Sequence, residues 1–130
     1  MSREPLRPPI KGMVGVDNGV VVYNGVKGAL NQNSVWTELF GDAPFAIEGM
    51  VGFSNSVVAY NENKVALNHN LVWTALKDAP FAIKGMAGVN NEVVVAYNGS
   101  KVALNQNLVW TALGDAPFAI EGMVGVPNGV

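Results

Sequence analysis

A phrase repeated three times restricts the fold of this chain more than any other feature: NSVWTELFGDAPFAI from Asn33, NLVWTALKDAPFAI from Asn70 and NLVWTALGDAPFAI from Asn107. Trp36, Trp73 and Trp110 stand 37 residues apart, as do Tyr23, Tyr60 and Tyr97, while Met13, Met50, Met86 and Met123 are spaced 37, 36 and 37. Two one-residue differences compensate each other. A residue is missing before Asp78 and one is gained in NNEVVVAY relative to SNSVVAY, and insertions of this kind belong in turns. A period of this length means an array of stacked units, none of which can cover its own faces. The chain reads as one repeat domain: an N-terminal arm at 1–8, repeats at 9–44, 45–80 and 81–116, and a partial fourth repeat at 117–130 that stops after one strand.

Within a unit the pattern is β throughout. In FAIEGMVGF, Phe45, Ile47, Val51 and Phe53 fall on one face and Glu48 and Met50 on the other, a period of two. SVVAYN supplies a β-branched second strand after the Ser54–Asn55 turn, and KVALN and LVWTAL follow as third and fourth, separated by Asn-rich turns. No segment carries a helical apolar stripe with caps. Glycine recurs through the first strand, in GMVGV, GMVGF and GMAGV, where it weakens a strand unless backbones must come close, as they do near the axis of a radial array.

Composition narrows the functional classes. Apolar residues make up 49% of the chain and charged ones only 14%, so some apolar area is expected to meet another copy. The net charge of −2 is spread without a basic cluster, which argues against nucleic acid as a partner. With no cysteine, disulfides, thiolate metal sites and cysteine nucleophiles are excluded. MSREPLRPPI lacks the apolar core of a secretion signal and no run approaches the ~18 apolar residues of a membrane span, so the expectation is a soluble protein, cytoplasmic by default, without membrane association.

The small-residue first strand, the GVVVYNG second strand, the KVALNQN third strand and the Trp-Thr pair closing each unit resemble the compact blades of β-propellers related to Asp-box and photosystem-assembly-factor repeats. A weaker resemblance links Asp17, Val21 and Tyr23 to the Q-x-D-x-N-x-V-x-Y motif of the monocot mannose lectins, which are β-prisms. The expected fold is therefore all-β, a β-propeller with about three four-stranded blades per chain. Three blades do not close a ring, since known propellers have roughly four to eight. Closure is expected through homo-oligomerisation, with a dimer of about six blades favoured and the strand at 117–126 swapping onto the neighbour. Alternating Lys11, Glu48, Lys84 and Glu121 would add weak attraction between adjacent units. The alternative architecture is a monomeric threefold β-prism or β-trefoil.

Candidate chemistry is sparse. His69, the one histidine, stands where the other copies have Gln32 and Gln106, and reads as a polar turn residue. Asp42, Asp78 and Asp115 of the DAP motif read as turn formers; a calcium-binding ring is the alternative and lacks further oxygen ligands at close spacing. No catalytic residue, metal site or cofactor is assigned, and an enzyme built on these carboxylates is the least favoured reading. Trp36, Trp73 and Trp110 either fill gaps between units or stack on sugars, with Asn33, Asn70 and Asn107 hydrogen-bonding hydroxyls, once per repeat. Two functions follow: a non-enzymatic repeat protein that assembles with itself, a product of repeat amplification or design, or a multivalent glycan-binding lectin.

Overall fold

The computed structural model describes residues 10–17, 19–39, 41–53, 56–90 and 93–125; the arm at 1–8, the Ser54–Asn55 turn and the end of the partial repeat at 126–130 lie outside the described residues. Twelve strands form three sheets in chain order. The first contains β1 (Gly12–Val16), β2 (Gly19–Asn24), β3 (Lys27–Gln32) and β4 (Val35–Glu38). The second contains β5 (Gly49–Phe53), β6 (Ser56–Asn61), β7 (Lys64–His69) and β8 (Val72–Ala75). The third contains β9 (Gly85–Asn90), β10 (Val93–Asn98), β11 (Lys101–Gln106) and β12 (Val109–Ala112). Every pairing is antiparallel between strands consecutive in the chain, and the described residues contain no helix, hence none long and apolar enough to cross a membrane.

Local chemistry explains the hairpins. Asn33–Ser34, Asn70–Leu71 and Asn107–Leu108 are two-residue loops between the paired ends Gln32↔Val35, His69↔Val72 and Gln106↔Val109. All six residues have positive φ, between 52° and 69°, which is the turn whose twist matches that of the flanking strands. Asparagine tolerates this conformation, whereas leucine enters it at a cost. The residue gained before Val93 is absorbed within the strands and not in the turn expected from the sequence: Val93 pairs with Asn90 but Val94 with Gly88, a register shift in the β9–β10 ladder.

Side-chain alternation assigns each sheet two faces. In β6, Val57 and Ala59 point to the first sheet, into a cluster with Val21, Tyr23, Leu39, Ile47 and Met50. Val58 and Tyr60 point the other way, to a cluster containing Val65, Ile83, Met86, Val94 and Ala96. The middle sheet is thus covered on both sides, and Val57, Val58 and Ala59 are each at most 2% exposed. First strands come closest. A Cβ on Gly52 would overlap the carbonyl oxygen of Gly15, and one on Gly125 would overlap that of Gly88. Gly12, Gly49 and Gly85 serve a different purpose, because the rings of their register partners Tyr23, Tyr60 and Tyr97 lie over them.

The first strand is shorter than its alternation suggests. Phe45 and Ile47 belong to the connection between sheets, and β5 starts only at Gly49. Backbone hydrogen bonds strap that connection to the sheet it leaves: the amides of Leu39, Ala43 and Ile47 donate to the carbonyls of Gly28, Val26 and Gly25. The later connections repeat this with Leu76, Ala79 and Ile83 donating to Val65, Asn63 and Glu62, and with Leu113, Ala116 and Ile120 donating to Val102, Ser100 and Gly99. Having satisfied its donors backwards, the segment reaches the next sheet carrying Ile47 into the junction, where it is fully buried.

Candidate functional site

The recurring tryptophans sit on the outermost strands, each facing an asparagine: Asn31↔Trp36, Asn68↔Trp73 and Asn105↔Trp110. Because cross-strand partners share a face, these asparagines, and not those of the turns, stand beside the rings. Asn33, Asn70 and Asn107 are exposed at the hairpin tips, with their backbones in the left-handed region.

The three rings have different surroundings. Trp73 packs against the cluster between the first and second sheets, and Trp110 against the one between the second and third. Trp110 Nε1 donates to the carbonyl oxygen of Lys77 at 2.9 Å, which ties the third sheet to the connection leaving the second. The turn equivalent to Lys77 in the first repeat is one residue longer, and Trp73 Nε1 is buried without a partner among the described residues. Trp36 is 56% exposed. Among the described residues no sheet precedes it.

The acidic positions form a second recurring set. Asp42, Asp78 and Asp115 approach Lys27, Lys64 and Lys101 at 2.7, 3.3 and 3.8 Å, each joining a connection to the start of the third strand of its own sheet. The Asp42 carboxylate, through its hydrogen bond and its charge, raises the pKa of Lys27. All three pairs are solvent-exposed, so each contributes little to stability. Lys11, from the alternating series, donates to the carbonyl oxygen of Ile47 at 3.4 Å. His69 ends β7, where its Nδ1 lies 2.7 Å from Ser56 Oγ on the paired strand. Among the described residues no three His, Cys, Asp or Glu side chains come together as metal ligands.

No family model matches the chain, and no curated protein matches its sequence. The geometry must carry the functional reading by itself.

What it offers most clearly is a pair of unfinished ends. The face of the first sheet turned away from the second carries Met13, Val20, Val22, Asn31 and Trp36, the counterparts of Met50, Val57, Ala59, Asn68 and Trp73. Met13 is 56% exposed, while Met50 and Met86, facing a preceding sheet, are 7% and 9% exposed. At the other end Leu113 is 43% exposed against 7% for Leu39, and Phe118 is 71% exposed. Gly125 lies against Gly88 of β9, as Gly52 of β5 lies at Gly15 of β1. Sequence reasoning found the repeated side chains but could not separate internal copies from end copies, since only a neighbour distinguishes them.

Proposed function

We propose that this chain is a non-enzymatic repeat protein that assembles with a second copy of itself into a closed β-propeller. One observation carries the reading: Met13 and Trp36 at one end of the array and Leu113 and Phe118 at the other are exposed, whereas their counterparts at the first internal junction, Met50, Trp73, Leu39 and Phe45, are buried or half-buried. Apolar surface of this kind is stabilised by roughly 25 cal/mol per Å2 when covered. The two faces are complementary rather than alike, so the contact runs head to tail and satisfies both ends only by closing. Two chains give six blades, within the range of roughly four to eight at which propellers close.

The internal junctions specify the contact. Trp36 Nε1 of one copy would donate to the Gly114 carbonyl of the other, by analogy with Trp110 and Lys77. The segment Gly122–Val126 has the same five letters, GMVGV, as β1. In the closed ring the second copy's β1 would take the place at β9 that Gly125 holds within the single chain, so that Met13 and Gly15 face a preceding sheet.

Sedimentation equilibrium tests the reading. The expected result is a mass twice the 13.7 kDa of one chain, reduced to a single chain by Met13→Asp combined with Trp36→Ala while the β-sheet circular dichroism is retained. A wild-type protein that stays a single chain at high concentration would overturn it.

The exposure of Trp36 beside Asn31 supports a second reading, a glycan-binding ring face at that end. A glycan array distinguishes the two, because sugar binding should be lost in Trp36→Ala, and array silence leaves assembly as the function.

A further inference from the structure

The two internal junctions each contain a cleft of the same construction. The first, about 460 Å3, lies between Val21 and Leu30 of the first sheet and Val57, Asn68 and Leu71 of the second. The second, about 410 Å3, is bounded by the counterparts Val58 and Leu67 on one side and Val94, Asn105 and Leu108 on the other. Both volumes fall in the range of roughly 300–1,000 Å3 typical of small-molecule pockets.

Each cleft holds one buried polar group that the protein leaves unanswered. Asn68 is 4% exposed and Asn105 3%, and neither Nδ2 has a hydrogen-bond partner among the described residues. Leaving such a donor unpaired costs about 1–3 kcal/mol. The same donor is left unpaired at the same place in two successive repeats. No charged side chain lines either cleft, so an ionic guest would be desolvated without compensation. The walls are aliphatic, with further polar groups in the first cleft at Gln32, Thr37 and Ser56 and in both at the turn asparagines Asn70 and Asn107.

We propose that each cleft binds one neutral small molecule with an aliphatic body and a carbonyl oxygen that accepts from the asparagine Nδ2 once the buried amide turns toward the guest, the chemistry of an aliphatic amide, ester or lactone. A sugar fits less well, since the second cleft offers only two amides to a ring of hydroxyl groups. The site lies within one chain and does not depend on assembly.

The test follows the asparagine side-chain NH2 resonances of the 15N-labelled full chain during titration with hexanamide. Expected is a saturable shift of the Asn68 and Asn70 signals for the first cleft and of Asn105 and Asn107 for the second, with Asn68→Leu weakening binding read at Asn70 at least ~10-fold while the second cleft still responds, and Asn105→Leu doing the reverse at Asn107. Each variant keeps one intact cleft, which reports that the fold survives. Hexylammonium, of similar length but charged and without an acceptor, should produce no saturable shift. The proposal is overturned if hexanamide gives no saturable shift up to its solubility limit, if both variants bind it as the wild type does, or if hexylammonium binds equally well.

Discussion

Gly15 and Gly52 occupy the same position in successive repeats, yet alanine should have opposite effects at the two. Neither has a positive φ, so alanine can adopt both backbone conformations. At Gly52 the added methyl would overlap the backbone carbonyl oxygen of Gly15 and press on Val16 Cγ1 at 3.0 Å. A backbone atom cannot turn aside as a side chain does, so the first and second sheets must separate. Overpacking of this kind typically costs about 1–3 kcal/mol. At Gly15 nothing lies within 4 Å of the added methyl, and alanine removes backbone freedom from the unfolded chain, which stabilises by about 0.4–1 kcal/mol. Thermal unfolding of the dilute single chain, followed by tryptophan fluorescence, should lower Tm by roughly 4–12 °C for Gly52→Ala and raise it by a few degrees for Gly15→Ala, taking about 4 °C per kcal/mol. In the proposed two-chain ring Gly15 would meet a preceding first strand, so Gly15→Ala should weaken association there. Equal losses at the two positions in the dilute chain would refute the close approach of β1 and β5.

Ile47→Ala removes a fully buried side chain from the first junction and should lower stability in urea titration by about 2–5 kcal/mol. Leu108 holds a φ of 67° with its side chain 51% exposed, so Leu108→Gly should raise the urea midpoint by up to ~1 kcal/mol equivalent, and a loss would argue against the tight turn. Burial raises the pKa of Tyr23, and burial followed by repulsion from Tyr23, Tyr97 and Glu48 raises that of Tyr60. The folded protein therefore holds these protons more tightly than the unfolded chain: the contribution to stability is complete below about pH 10, the ordinary tyrosine value, and is lost as pH rises through the raised values. Phenolate absorbance should show two tyrosines ionising late, and urea midpoints should fall above pH 10. Asp78→Asn breaks an exposed pair with Lys64 and should change stability by less than ~1 kcal/mol in the same titration.

Much of this fold is written locally. The alternation in SVVAYN and KVALN gives strands, and the asparagines before Ser34, Leu71 and Leu108 give tight turns, because both depend on residues within a few positions. The candidate site was only partly legible. Period-two reading puts Asn68 on the face of Ala66 and so beside Trp73, which would have directed attention from the turn asparagines to those within strands. The alternation failed at Phe45 and Ile47, because the connection's backbone donors, Ala43 and Ile47, are taken by the preceding sheet before the next strand begins.

The sequence by itself determined the unit: its 37-residue period, its four antiparallel strands and the hairpins that join them, since hydrogen-bonded neighbours lie close along the chain. The tertiary structure alone decided what identical letters do. Met13 and Met50, or Trp36 and Trp110, differ in exposure because, among the described residues, one has a sheet before it and the other does not. Burial depends on the neighbour a face meets, and no local pattern within a repeat records where the array ends.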